Sequence, residues 1–293
     1  MEGVIAAVPT PIGTDRAPIQ ELFLEHCQWA LDNGCDGLNV LGSTGEANSF
    51  DTNSRRTVMG WAAEGLAKDR LMVGTGTPSL QETIGLTEYA DDLGYGVALV
   101  LPPYYYKPAT EEGLIGWYMA LHDALRARSI QIYFYNFPQM TGINIPVDLI
   151  SELAERAPDR FTGIKDSSGD LDYCRSIVAA NDTLRVFPSS ETALESAKAD
   201  GFAGCISATT NITGTMAAQV WAAGETPPAD LCAEIARQRG VIAGPSLIAN
   251  VKSLVATRVG DARWRAVLPP FIPLSESAGQ DLRNALEGQI NGQ

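Results

Sequence analysis

The chain has 293 residues, with 21 Lys+Arg against 35 Asp+Glu and a net charge of −14. Such an acid excess repels phosphate backbones and anionic lipid, which argues against nucleic-acid and membrane-surface partners. No apolar run approaches the roughly 18 residues of a membrane-spanning helix, and nothing before Arg16 has the shape of a signal peptide. The five cysteines, Cys27, Cys35, Cys174, Cys205 and Cys232, include no CxxC pair. They read as reduced, buried thiols, and the expected compartment is the cytoplasm.

In chain order, short apolar runs alternate with longer amphipathic ones. Strands are predicted at 3–12, 37–41, 70–74, 97–101, 131–135, 161–165, 184–187 and 204–207. Helical patterns follow them at 19–33, 53–66, 79–92, 110–127, 146–157, 171–180, 192–200 and 213–223. Runs such as VALVL and IQIYFY are apolar without alternation, as in parallel strands covered on both faces. Ser79 and Thr110 stand where helix N-caps belong, and Pro146 near a first helical position. Eight βα units over residues 1–225 give an α/β fold, a (β/α)8 TIM barrel. Periodicity alone leaves a doubly wound open sheet as the competitor. Residues 226–293 carry three further helical patterns, at 230–240, 248–259 and 277–290, with PPFIP as a breaker. They read as a helical extension packed on the barrel, forming one unit with it.

In such a barrel the chemistry lies at the C-terminal ends of the strands. Lys165 closes the apolar run FTGIK, so its amine is expected in the barrel mouth. Partial removal from water there favours the neutral amine, which attacks carbonyls; an ion pair with Asp166 or another carboxylate is the alternative. Tyr135 ends the preceding strand, one strand pair away. Its phenol could pass protons, or it could be a core aromatic of the run YFYNF. Gly42 and Gly45 bracket Ser43 and Thr44, so that backbone N–H groups and two hydroxyls could converge on a carboxylate; many tight turns look the same. GTG at 74–76 lacks the rest of a dinucleotide fingerprint, and no HExxH, CxxC or carboxylate cluster points to a metal. His26 and His122 lie inside helical patterns and read as structural.

Together, GSTGE at 42–46, PPYYYKP at 102–108, YNFP at 135–138 and GIKDSSGD at 163–170 resemble the pyruvate-dependent class I aldolases, the family of N-acetylneuraminate lyase and dihydrodipicolinate synthase. The resemblance covers essentially the whole chain. It implies that Lys165 forms a Schiff base with pyruvate or another 2-keto acid, without metal or organic cofactor. It implies that Tyr135 shuttles protons, that Ser43 relays them, and that Tyr105 completes the relay from a neighbouring subunit, usually in a homotetramer. Thr44, with Gly45 and nearby N–H groups, would bind the keto-acid carboxylate, and Ile206 would line the site near the lysine. The synthase branch carries arginine two residues after the YNxP proline; Met140 stands there, and a thioether cannot make the bidentate pair a guanidinium makes. GSTGEA and SSGD look more like the lyase and 2-keto-3-deoxy acid aldolase branch. Where sialic-acid lyases tend to have Gly-Tyr-Asp-Glu, this chain has Ser189-Ser190-Glu191-Thr192. Ser167, Ser189 and Glu191 are therefore candidates for binding the second half of the substrate, with Met140 at the mouth.

The expected reaction is reversible cleavage of a 2-keto-3-deoxy acid to pyruvate and an aldehyde. One alternative is 4-hydroxy-tetrahydrodipicolinate synthase, which condenses pyruvate with aspartate semialdehyde. Others are a keto-deoxy sugar-acid dehydratase and a barrel that only binds keto acids.

Overall fold

The computed structural model of the chain describes residues 1–288. Eight strands alternate with helices: β1 (Gly3–Ala7), β2 (Gly37–Val40), β3 (Leu71–Gly74), β4 (Val97–Val100), β5 (Gln131–Asn136), β6 (Phe161–Asp166), β7 (Arg185–Pro188) and β8 (Gly204–Ser207). Single helices α1 (Gln20–Asp32), α2 (Thr52–Gly65), α3 (Leu80–Leu93) and α4 (Glu111–Ala124) follow the first four strands. Two follow β5, namely α5 (Pro138–Thr141) and α6 (Val147–Arg156). Then come α7 (Leu171–Ala180), α8 (Ala197–Asp200) and α9 (Thr210–Ala223), and after them α10 (Ala229–Ile242), α11 (Leu247–Val259) and α12 (Glu276–Leu286).

Every strand ladder is parallel, in the order β7-β6-β5-β4-β3-β2-β1-β8. Ala203 N–H donates to the Val186 carbonyl at 2.9 Å and draws the two outermost strands together. The sheet is thus a (β/α)8 barrel with extra C-terminal helices. An open doubly wound sheet is excluded.

The apolar strands sort by the two-residue period of an extended chain. Val4, Ala6, Leu38, Val40, Ala98, Val100 and Phe134 face outward, against the helices. Ile5, Ala7, Met72, Leu99, Tyr133, Phe187 and Ile206 fill the interior, and Tyr135 ends that inner row. The GTG segment serves this packing. A Cβ on Gly74 would sit 2.2 Å from the Leu41 carbonyl oxygen, so only glycine allows the two loops to approach.

Local signals fix several helix starts. Ser79 accepts from Glu82 N–H, and Thr110 from Gly113 N–H; such a cap contributes about 0.5–2 kcal/mol. Other boundaries differ from the sequence expectation. The first strand stops at Ala7, because Pro9 and Pro11 lack the N–H groups a ladder needs. In place of one helix over 192–200 there is a short 3-10 turn at Glu191–Glu195, followed by α8. The last helix ends at Leu286; residues 289–290 of its predicted span lie outside the described residues.

All five cysteines are free and buried. Buried His26 joins three helices: Nε2 donates to Asn211 Oδ1 on α9, and Nδ1 accepts from Arg258 on α11, both at 2.8 Å. Among the described residues no single helix is long and apolar enough to cross a membrane.

Candidate active site

Beyond a register shift between Ile132 and Tyr133, β5 and β6 pair with Tyr135 beside Lys165 and Asn136 beside Asp166. In a parallel pair such neighbours project to the same side, here into the C-terminal mouth of the barrel. The strand ends are also stitched by side chains. Asn136 donates to Asp166 Oδ1 at 2.8 Å and accepts from Ile145 N–H, while Ser168 N–H and Oγ donate to Asp166 Oδ2. Asp166 is thereby turned away from its neighbour in sequence, and burial holds its pKa above the usual carboxylate value.

This disposes of the ion-pair reading of Lys165. The side chain is 4 % exposed, and among the described residues no carboxylate pairs with it. Its Nζ donates to Tyr135 Oη at 3.4 Å and lies 4.5 Å from the centre of that ring. Tyr135 Oη in turn lies 3.2 Å from Ser43 Oγ. An amine, a phenol and an aliphatic hydroxyl therefore form one continuous chain, drawn from β6, β5 and the loop after β2.

That loop is a tight turn. Gly45 N–H donates to the Gly42 carbonyl, and the Gly45 carbonyl accepts from Thr10 Oγ1 at 2.9 Å. The backbone then passes through left-handed Glu46, at φ 56°. Glu46 accepts from Lys252 on α11 at 2.5 Å, and its second oxygen accepts from Leu268 N–H at 2.6 Å. Both charged side chains are fully buried, and burial lowers the pKa of Lys252. The C-terminal helices thus brace the Ser43–Thr44 turn from behind.

One cavity of about 300 Å³ gathers most of the candidates: Lys165, Tyr135, Ser43, Thr44, Met140, Ser167, Ser189 and Ile206 all line it. Three are placed elsewhere. Gly45 packs behind the turn, where a Cβ would come within 3.1 Å of the Val8 carbonyl oxygen. Tyr105 is 72 % exposed beside Tyr106, outside the cavity of its own chain. Glu191 is 1 % exposed and lies beneath the lining. This corrects the expectation of Glu191 at the mouth, because its oxygens are already claimed by Ser207, Thr209, Thr213 and Arg239.

Arg239, from the last turn of α10, also lines the cavity, as do Pro245, Leu247 and Phe271. Sequence reasoning missed all four. Local periodicity places Arg239 on a helix but gives no sign of where that helix crosses the barrel.

A buried, unpaired lysine against a phenol, at the mouth of a barrel, is equipment for imine chemistry on a carbonyl substrate. Comparison with known proteins makes the class specific. Residues 1–289 match the dihydrodipicolinate synthetase family, and the chain belongs to it. It is 31 % identical to an uncharacterized DapA-like lyase of Chloroflexus aurantiacus, over 99 % of this chain and 97 % of that one. It is 30 % identical to the 4-hydroxy-tetrahydrodipicolinate synthase of Rhodospirillum centenum, over 97 % of each. Its fold matches the chloride-inhibited dihydrodipicolinate synthase from Acinetobacter baumannii, solved with pyruvate, at a TM-score of 0.86, 29 % identity and 98 % coverage of both chains. Members of the family are pyruvate-dependent lyases and synthases that use a lysine Schiff base and no external cofactor, and this chain is a carbon–carbon lyase of that kind.

Proposed function

We propose that the protein reversibly cleaves a 2-keto-3-deoxy acid to pyruvate and an aldehyde, with Lys165 as the Schiff-base nucleophile. The observation that carries this is the Lys165–Tyr135–Ser43 chain, at 3.4 and 3.2 Å, in a cavity that leaves the amine without a counter-charge. Neutral Lys165 attacks the C2 ketone, water leaves, and the protonated imine becomes an electron sink. Tyr135 takes the proton of the C4 hydroxyl, and the C3–C4 bonding pair moves to form the enamine as the aldehyde departs. A proton returned to C3 through Tyr135 and Ser43 restores the imine, and water releases pyruvate. Thr44, whose hydroxyl makes no hydrogen bond among the described residues, binds the keto-acid carboxylate with the N–H groups of its turn.

Met140, 68 % exposed at the rim, supports the lyase reading over aspartate-semialdehyde condensation, since it cannot make the carboxylate pair that the synthase branch makes from this position on α5. The exposure of Tyr105 and Tyr106, at 72 and 84 %, suits residues completed by a second copy. The working unit is accordingly a homo-oligomer, a tetramer in which Tyr105 enters the neighbour's relay, and the site of action is the cytoplasm.

Borohydride reduction in the presence of pyruvate tests the core of this reading. One reduced adduct per chain, mapped to Lys165, is expected; a folded protein without an adduct refutes it. The carbon count of the products then separates cleavage from dehydration, which keeps every carbon in one keto acid.

A further inference from the structure

Arg239 reaches the cavity from outside the barrel and is held there by an unusually complete set of partners. Its Nη1 donates to Glu191 Oε2 at 3.0 Å, to Ser207 Oγ at 3.0 Å and to Thr209 Oγ1 at 2.7 Å. The two hydroxyls donate to Glu191, at 2.6 and 2.6–2.7 Å, and Thr213 adds a third donor at 2.8 Å. Glu191 is thus a fully buried anchor that fixes one nitrogen of the guanidinium.

The opposite edge of that guanidinium is left over. Among the described residues, Nε and Nη2 make no hydrogen bond, and the side chain remains 23 % exposed along the cavity wall. These two N–H groups are parallel and spaced as a fork, the geometry that meets both oxygens of one carboxylate. The cavity lining contains two basic side chains, Lys165 and Arg239, and no Asp or Glu. Once Lys165 has become an iminium and the Thr44 turn has taken the keto-acid carboxylate, this fork is the remaining charged group for the rest of the substrate.

We propose that Arg239 determines specificity for the second half of the substrate by binding a carboxylate at its far end, so that the aldehyde partner is an aldehyde acid and the cleaved compound a 2-keto diacid. The proposal rests on the imine reading above. It assigns to the C-terminal helices the anchoring role that Met140 cannot fill from α5. Hydroxyl groups of an uncharged sugar aldehyde would use the fork one bond at a time and gain less from its geometry.

The test is condensation of pyruvate with two aldehydes of equal carbon number, 4-oxobutanoate and butanal, with glyceraldehyde as the hydroxylated neutral comparison. A charge-assisted pair predicts a preference in kcat/KM of about 10- to 100-fold for 4-oxobutanoate in the wild-type protein, expressed mainly in KM. In Arg239→Met that preference is expected to fall to about 3-fold or less, and Arg239→Lys should recover only part of it. Because methionine strands the Glu191 carboxylate, Glu191→Gln/Arg239→Met keeps the ratio measurable if the single variant does not fold. A wild-type preference for butanal or glyceraldehyde, or a preference for 4-oxobutanoate that survives in the double variant, overturns the proposal. Borohydride trapping with pyruvate in the same preparations separates the two claims. Trapping that succeeds while the preference is absent sinks the carboxylate anchor alone, and failed trapping in wild type sinks the imine reading with it. Loss of trapping confined to folded Arg239 variants would move the arginine to the pyruvate half and also overturn the proposal.

Discussion

The floor and the rim of the cavity are built differently. The floor takes Lys165 and Tyr135 from two adjacent strands in register, where backbone ladders fix the positions of both Cα atoms. The rim takes Arg239, Pro245, Leu247 and Phe271 from segments beyond the eighth strand, held by side-chain contacts instead of a ladder. Ladder-fixed groups suit bond-making, which tolerates displacements well under an ångström. Groups held by side chains suit the choice of substrate, since they can be exchanged without disturbing the sheet. On the two proposals above, labour is divided between a barrel that sets the chemistry and a tail that selects what enters.

The sharpest way to break this division is Lys165→Ala. Turnover should fall to background and no pyruvate adduct should form, while the urea midpoint stays near that of the wild type; residual turnover near the wild-type rate would end the argument for the floor. Tyr135→Phe removes the phenol but keeps the ring, and should lower kcat by about 10²–10⁴-fold. The pyruvate adduct should still form in that variant, since Lys165 is intact, and trapping reads this directly. Lys252→Met attacks the junction between floor and tail. It leaves the Glu46 carboxylate buried without its partner and should cost about 3–5 kcal/mol of stability, with part restored in Glu46→Gln/Lys252→Met; denaturant melts of the three proteins decide it. If the brace serves only stability, kcat of folded Lys252→Met would match wild type, and the claim that the tail sets the Ser43 turn would fail.

Acid should strain the junction between barrel and tail. Burial lowers the pKa of His26 from 6.5 to about 4, and Arg258 already donates to its Nδ1. The unfolded chain therefore takes up a proton that the folded chain refuses, so stability falls as pH drops from about 6.5 to 4. The loss amounts to about 3 kcal/mol over that window and is absent above it. Urea midpoints across the range should fall less steeply in His26→Gln, and parallel slopes would discount the histidine. The smallest effect belongs to Ser43→Ala, which removes a single hydrogen bond to Tyr135. A loss of about 2- to 10-fold in kcat is expected from the worth of one such bond, with KM for pyruvate little changed.

Legibility followed the same boundary. Lys165 was readable because FTGIK ends a strand, and where a strand ends its last inward residue stands at the mouth. Tyr135 was readable for the same reason, and Ser43 and Thr44 because glycines frame them. The sequence locates Glu191 on its loop but not its depth beneath the lining, which depends on Thr213 and Arg239, distant in sequence. Arg239 itself carried no sign, because a helical period says which face of a helix is apolar and not what that face meets. The end of the first strand at Ala7 is itself legible in the sequence, since Pro9 and Pro11 cannot donate to a ladder.

The buried contact between Glu46 and Lys252 has a consequence for how such a chain changes over generations. The two residues are 206 positions apart, yet neither can lose its charge alone without leaving the other stranded in the interior. A change at one therefore calls for a matching change at the other. A recombination between two relatives that exchanged everything after the eighth strand would deliver a new rim, and with it a new selectivity, only where both parents carry the same partners at this one junction.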